Sequence, residues 1–179
     1  MRNPLNSRNY LLLLGMSVLL AGCASEYVPY KAYLGEPRNE LQVSTLIGSS
    51  YQRVDLINRF TDTVRFMSVD QFSIVDSDRH ASIQITPGFH EVRVYFSWDI
   101  GRQRGLAPAM VDYARTRDHV SRTLRFNARA GETYTVNAQP YFSAPREAIT
   151  TLDHVDFWIL DADGIEIVTR EQGRYIPDS

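Results

Sequence analysis

From Glu40 onward the dominant pattern is alternation of apolar and polar residues, a period that a strand satisfies and a helix does not. Over residues 90–98, Val92, Val94, Phe96 and Trp98 share one face, while Glu91, Arg93, Tyr95 and Ser97 share the other. Leu41, Val43 and Thr45 alternate with Gln42 and Ser44, and Val54 and Leu56 with Arg53 and Asp55. Val64 and Phe66 continue the pattern, which then switches phase to Met67 and Val69. Leu124 and Phe126, then Tyr134, Val136 and Ala138, repeat it. Residues 157–160 (Phe-Trp-Ile-Leu) form an apolar run suited to a strand covered on both faces.

Turn chemistry punctuates these segments. Pro87-Gly88 predicts a type II turn that feeds the 90–98 strand from Ile83-Gln84-Ile85. Ala130-Gly131 stands between two further strands, and Asp163-Gly164 predicts a hairpin with Ile165 and Ile167 running back. The organisation strand, Pro-Gly or Ala-Gly turn, strand occurs in both halves, with too little identity to form a repeat. The expectation is an all-β domain, an antiparallel β-sandwich of about eight or nine strands, with a small barrel as the other closed solution. Residues 99–120 do not alternate and are expected to form a long insertion. Seven Arg against three Asp fall between residues 99 and 129, and residues 109–115 fit two helical turns with Pro108 at the first position.

The N-terminus has a different grammar. Arg2 and Arg8 precede an apolar run at residues 11–20, followed by Ala21-Gly22 and the single cysteine, Cys23. This is the order of a secretory signal, and a run of about ten residues falls short of the roughly 20 needed to span a bilayer. Leu20-Ala21-Gly22-Cys23 resembles the lipobox of bacterial lipoproteins. The resemblance implies cleavage before Cys23, with acylation of its sulfur and amine. Two or more chains give stable anchoring, at about 0.8 kcal/mol per buried methylene. Ala24 and Ser25 follow, where an Asp resembles the inner-membrane retention signal of Gram-negative lipoproteins; the implied address is the outer membrane, facing the periplasm. The expected organisation is signal peptide 1–22, lipidated cysteine and tether 23–39, β-sandwich 40–170 and C-terminal tail 171–179. Tyr27, Tyr30 and Tyr33 recur every third residue in the tether and are expected to pack on the domain.

Removing residues 1–22 takes away two arginines and no acid, which moves the formal charge from −2 to −4. A mildly acidic body argues against nucleic acid as the main partner. Lys31 is the one lysine, so the positive charge is almost entirely arginine. The 157 residues that remain suit one domain, and with its single cysteine acylated the chain forms no internal disulfide.

Four pieces read in order match one pattern. They are Tyr33-Leu34-Gly35-Glu36-Pro37 with Glu40-Leu41-Gln42-Val43; Val54-Asp55-Leu56-Ile57; Pro87-Gly88-Phe89-His90-Glu91-Val92-Arg93-Val94; and Ala130-Gly131-Glu132-Thr133-Tyr134-Thr135-Val136. Trp158 with Asp161-Ala162-Asp163-Gly164 closes the series. The pattern resembles small bacterial envelope lipoproteins of unknown function that carry PEGA-like β-sandwich domains. Its residues serve turns and core, so the resemblance implies a fold and assigns no catalytic residue. The insertion at 99–120 departs from it.

The polar residues point more weakly. His80, His90, His119 and His154 lack the i, i+2 or i, i+4 spacing of metal ligands, and neither metal nor cofactor is expected. His90, in phase with Val92, is expected to be a partly buried, hydrogen-bonded residue. Asp161-Ala162-Asp163-Gly164 resembles the start of a calcium loop, but strand residues follow at once and a hairpin is the expectation. Asp76, Asp78 and His80 gather near Ser73 and Ser77, but no G-x-S-x-G occurs and residues adjacent in sequence do not make a triad. Arg102, Arg104, Arg115, Arg117 and Arg122 form the best candidate for anion or partner binding, with Tyr95, Tyr113, Tyr141 and Phe142 as possible stacking surfaces. The expected function is a membrane-anchored, non-enzymatic envelope module that contacts the bilayer through Cys23 and binds an envelope protein. Glycan or peptidoglycan binding is the alternative, and a hydrolase with an unrecognised site the third reading. The strand phase is testable at once: Val94→Asp buries an unpaired carboxylate, so thermal circular dichroism is expected to show loss of cooperative melting.

Overall fold

The computed structural model describes residues 28–55, 58–97, 120–143 and 152–177. Among the described residues the chain forms two packed sheets and no α-helix. The first sheet runs β1 (Tyr30–Lys31), β6 (Ser82–Ile85), β2 (Ser44–Gly48), β9 (Thr133–Phe142), β10 (Leu152–Leu160) and β11 (Glu166–Tyr175). The second runs β3 (Ser50–Asp55), β4 (Asn58–Val69), β7 (Gly88–Ser97) and β8 (Ser121–Ala128), with β5 (Phe72–Ser73) paired to the end of β4. The fold is an all-β sandwich, as the alternation requires. Nine of its strands exceed two residues. Neighbours pair antiparallel except β1 with β6 and β2 with β9, which run parallel.

The inward faces form one core. Leu46, Ile83, Ile85, Val136, Phe157 and Ile159 of the first sheet meet Val64, Phe66, Val92, Val94, Phe96 and Leu124 of the second. Val92, Val94 and Phe96 are buried together, which bears out the phase read from the sequence; Trp98 lies outside the described residues. Tyr95 is buried as well, on the opposite face, with its hydroxyl 3.4 Å from Ser77 Oγ. The phase switch after Phe66 is a β-bulge: β4 pairs Phe66 with Val94 and Ser68 with Arg93, so Met67 is the extra residue.

The two Gly turns do more than reverse the chain. The turn at Pro87-Gly88, with Gly88 at φ 128°, carries the chain from β6 in the first sheet to β7 in the second. The Ala130-Gly131 turn carries it back, from β8 to β9. A third crossing needs no turn, because β2 runs into β3 through Ser49. The Ser49 N–H donates to Val136 of the first sheet (2.9 Å), and its carbonyl accepts from Val64 of the second (2.9 Å). Gly48 makes this corner possible, since a Cβ there would collide with the Val64 carbonyl.

Both ends of the sandwich extend past the expected limits. Tyr30 and Lys31, inside the expected tether, pair with Ile83 and Gln84. Tyr33 is buried, and Tyr30 lies over the His80 ring at 4.5 Å, so both tyrosines pack on the domain; Tyr27 lies outside the described residues. At the other end β11 continues through residue 170 to Tyr175. It contains an excursion: Ile159 pairs with Val168 and Phe157 with Gly173, so one intervening residue on β10 faces four on β11. Thr169 and Gln172 brace the excursion reciprocally, each backbone N–H donating to the other's side chain (2.9 and 3.4 Å). Gly173 closes it against the Phe157 carbonyl, where a Cβ has no room. Gly173→Ala is expected to cost roughly 2–3 kcal/mol by displacing β10. Gly164→Ala, at φ 80° in open space, is expected to cost about 1 kcal/mol. Urea unfolding of both variants checks the order.

Candidate functional site: an arginine cleft at the seam of the sheets

β8 and β11 are edge strands of different sheets, and they pack together along one side of the sandwich. A cleft of about 610 Å³ opens along this seam. Arg93 on β7, Ser121, Arg122 and Arg125 on β8, and Gln172 on β11 line it. Pairing of β7 with β8 sets Arg93 opposite Thr123 and Glu91 opposite Arg125, so outward alternation delivers Arg93, Ser121 and Arg125. Arg122 instead pairs with Val94, shares the parity of buried Leu124 and reaches the seam on the β11 side. Arg93 donates from Nε (3.1 Å) and Nη2 (2.9 Å) to Ser121 Oγ. Arg125 donates from Nε to Glu91 Oε1 at 2.7 Å, an exposed pair worth about 0–1 kcal/mol. Arg122 Nη2 donates to the Gln172 carbonyl at 3.1 Å, on the excursion of β11.

Of the arginines singled out in the sequence, Arg122 stands in this cleft. Arg102, Arg104, Arg115 and Arg117 lie outside the described residues, as does Cys23. Arg93 and Arg125 were legible only as outward residues of alternating strands. Their convergence depends on the β7–β8 register, which the long connection between those strands conceals.

The outer face of the first sheet carries a second polar group. His154, Asp156 and Trp158 alternate outward on β10 while Val155, Phe157 and Ile159 enter the core. The Asp156 side chain is 3% exposed, and Arg174 clamps it from Nε (2.7 Å) and Nη2 (3.1 Å). This hydrogen bond, opposed by a smaller desolvation effect, holds the Arg174 guanidinium above its ordinary value. The excursion chooses the partner. Continuing the Ile159–Val168 register would set Glu171 opposite Asp156, whereas the extra residues set Arg174 there. The same excursion folds Arg170 over Trp158 at 3.6 Å and lets it donate to Gln139 Oε1 at 2.7 Å. Tyr141 stacks on His154 at 4.3 Å, and His154 Nδ1 lies 2.7 Å from Asp153 Oδ2. Tyr141 therefore spends one face within the sheet, and Tyr113 lies outside the described residues.

The other polar motifs serve the fold. Asp161 Oδ1 accepts from the N–H groups of Asp163 (3.0 Å) and Ile165 (2.8 Å), which builds a hairpin loop of five residues between β10 and β11. Ser77 Oγ reaches Tyr95, and the His80 ring packs on Tyr30. His90 is buried, with Nδ1 2.8 Å from Asp70 Oδ2 and Nε2 2.7 Å from the Thr86 carbonyl. Both partners are acceptors.

Asp70 sits at φ 51° in the two-residue turn between β4 and β5, and its Oδ1 accepts from the Glu91 N–H at 2.9 Å. Burial alone raises its carboxyl. The Glu91 N–H, then the hydrogen bond and charge of His90, outweigh that and hold it below the ordinary 3.8. Comparison with family models, with curated proteins and with solved structures finds no match for this chain.

The Asp70 joint has a pH signature. A carboxyl depressed in the folded state contributes stability that is complete above its unfolded value and lost as pH falls through the folded value. Wild-type stability is therefore expected to decline below pH 3.8. Asp70→Asn, which tolerates the same backbone, is expected to flatten that limb of a denaturation series taken against pH.

Proposed function

We propose that this chain is a membrane-anchored, non-enzymatic interaction module of the bacterial cell envelope. In this reading acylated Cys23 holds it at the outer membrane, facing the periplasm. The lipobox and the likeness to lipoproteins with PEGA-like domains support the address. The arginine cleft supports the activity. Its ionisable groups are guanidiniums, which stay charged at neutral pH and neither give nor take a proton there. They can hold an anionic group and order it, and they make poor general acids or bases. With residues 1–22 removed the body has a net formal charge of −4, so the cleft is a local cationic feature with something to select. Because the arginines stand on paired strands, the surface is rigid before its partner arrives, which lowers the ordering cost of association.

The anchor is tested by fractionating cells that express the full chain with Cys23 or with Cys23→Ser. Wild type is expected to sediment with outer membranes, incorporate labelled palmitate and require detergent for release. The variant is expected to persist as unprocessed precursor or to leave the membrane fraction. Equal fractionation and equal labelling would remove the anchor from this proposal.

A further inference from the structure

We propose that the seam cleft binds carboxylates of the peptide-bearing cell-wall glycan. The proposal rests on the envelope reading above and names the ligand class for the same site. Arg122 and Arg125 both line the cleft, and among the described residues each keeps guanidinium N–H groups uncommitted. Arg125 commits Nε to Glu91, and among the described residues its Nη1 and Nη2 edge takes no hydrogen bond. Arg122 commits one N–H of Nη2 to a main-chain carbonyl, which fixes the group without neutralising it. A guanidinium edge offers two parallel N–H donors, matched to the two oxygens of a carboxylate. Thr123 adds a hydroxyl and Gln172 an amide NH2, the groups that meet the neutral amides and hydroxyls of a sugar-peptide. A volume of about 610 Å³ accommodates a ligand of many heavy atoms rather than a lone inorganic ion.

Topology selects the polymer over the anchoring lipid. The segment leading from Cys23 enters the fold at β1, one edge of the first sheet, and the cleft lies at β11, the other edge. Five inter-strand steps separate these edges, about 24 Å at roughly 4.8 Å each. That is about three Debye lengths at physiological salt, so with the bilayer on the β1 side its headgroup charge would be screened before it reached the cleft. The arginines thus stand at the sheet edge opposite the one that the anchored segment joins, which favours a polymer over the anchoring lipid as the ligand.

The test uses the full chain in detergent micelles and N-acetylmuramyl-L-alanyl-D-glutamate as the probe, with calorimetry or ligand NMR as the readout. Saturable binding is expected, falling at least tenfold when both glutamate carboxyls are amidated. A similar loss is expected in Arg122→Ala/Arg125→Ala, whose melting curve should match wild type because both side chains are exposed. Arg125→Lys, which keeps the charge and loses the fork, is expected to recover little of the affinity.

Equal binding of the diamide would overturn the proposal. So would equal binding of inorganic phosphate, or binding only to vesicles containing phosphatidylglycerol. Arginine-dependent crosslinking to an acidic protein without probe binding would overturn it as well. Membrane fractionation of the double variant keeps the two readings apart. If it still sediments with membranes but loses the probe, the cleft carries the ligand and the anchor stands independently.

Discussion

Ser49 is the residue on which the closure of the sandwich turns. A strand that leaves one sheet for the other must exchange hydrogen-bond partners within a residue or two, or strand its backbone polar groups in the core. Ser49 accomplishes this in one step, its N–H committed to β9 and its carbonyl to β4. Its hydroxyl adds a 2.6 Å bond to Asn137. The preceding glycine lets the two backbones approach closely enough for the exchange. Once this corner is fixed, the parallel pairing of β2 with β9 and the antiparallel pairing of β3 with β4 follow from one continuous stretch of chain.

The second organising element is the excursion in β11. By inserting residues between Val168 and Gly173, it replaces a carboxylate with a guanidinium opposite Asp156. That substitution of neighbours matters because an unpaired buried carboxylate destabilises a fold by several kcal/mol. The same residues reach both surfaces of the molecule. Arg170 covers Trp158 on the outer face, while the Gln172 carbonyl receives Arg122 at the seam. The cleft and the outer polar face are therefore built on one piece of backbone.

Alternation carried a great deal of this into the sequence. The strand of Val92, Val94 and Phe96 and the slip of phase after Phe66 were legible because burial enforces period two. The run at Phe157 was legible because Phe157 and Ile159 enter the core while Trp158 is covered by Arg170 on the outer face. Pairing partners were not legible, since a glycine turn between two apolar strands looks alike whether it folds a hairpin or crosses between sheets. Tyr30 and Lys31 pair too briefly to leave a period, and the excursion interrupts the one in β11, which is why residues 171–175 read as a tail. Asp156 announced its burial only by standing among apolar neighbours, and its arginine partner lies 18 residues away through a register that no local rule supplies. Arg122 was visible as one of a basic cluster, whereas Arg93 and Arg125 needed the β7–β8 ladder to become its neighbours.

An interrupted β11 also bears on self-association. Edge strands with long regular ladders invite a second copy to add its own strand. Here the ladder of β11, the edge of the first sheet, is broken across residues 169–172, so an incoming strand meets an interruption where it needs a straight rail. For a protein confined to a bilayer plane as proposed above, collisions are frequent and sidelong, and copies jostle at far higher effective density than in free solution. A break at that flank lets crowded neighbours slide past one another without zipping into sheets.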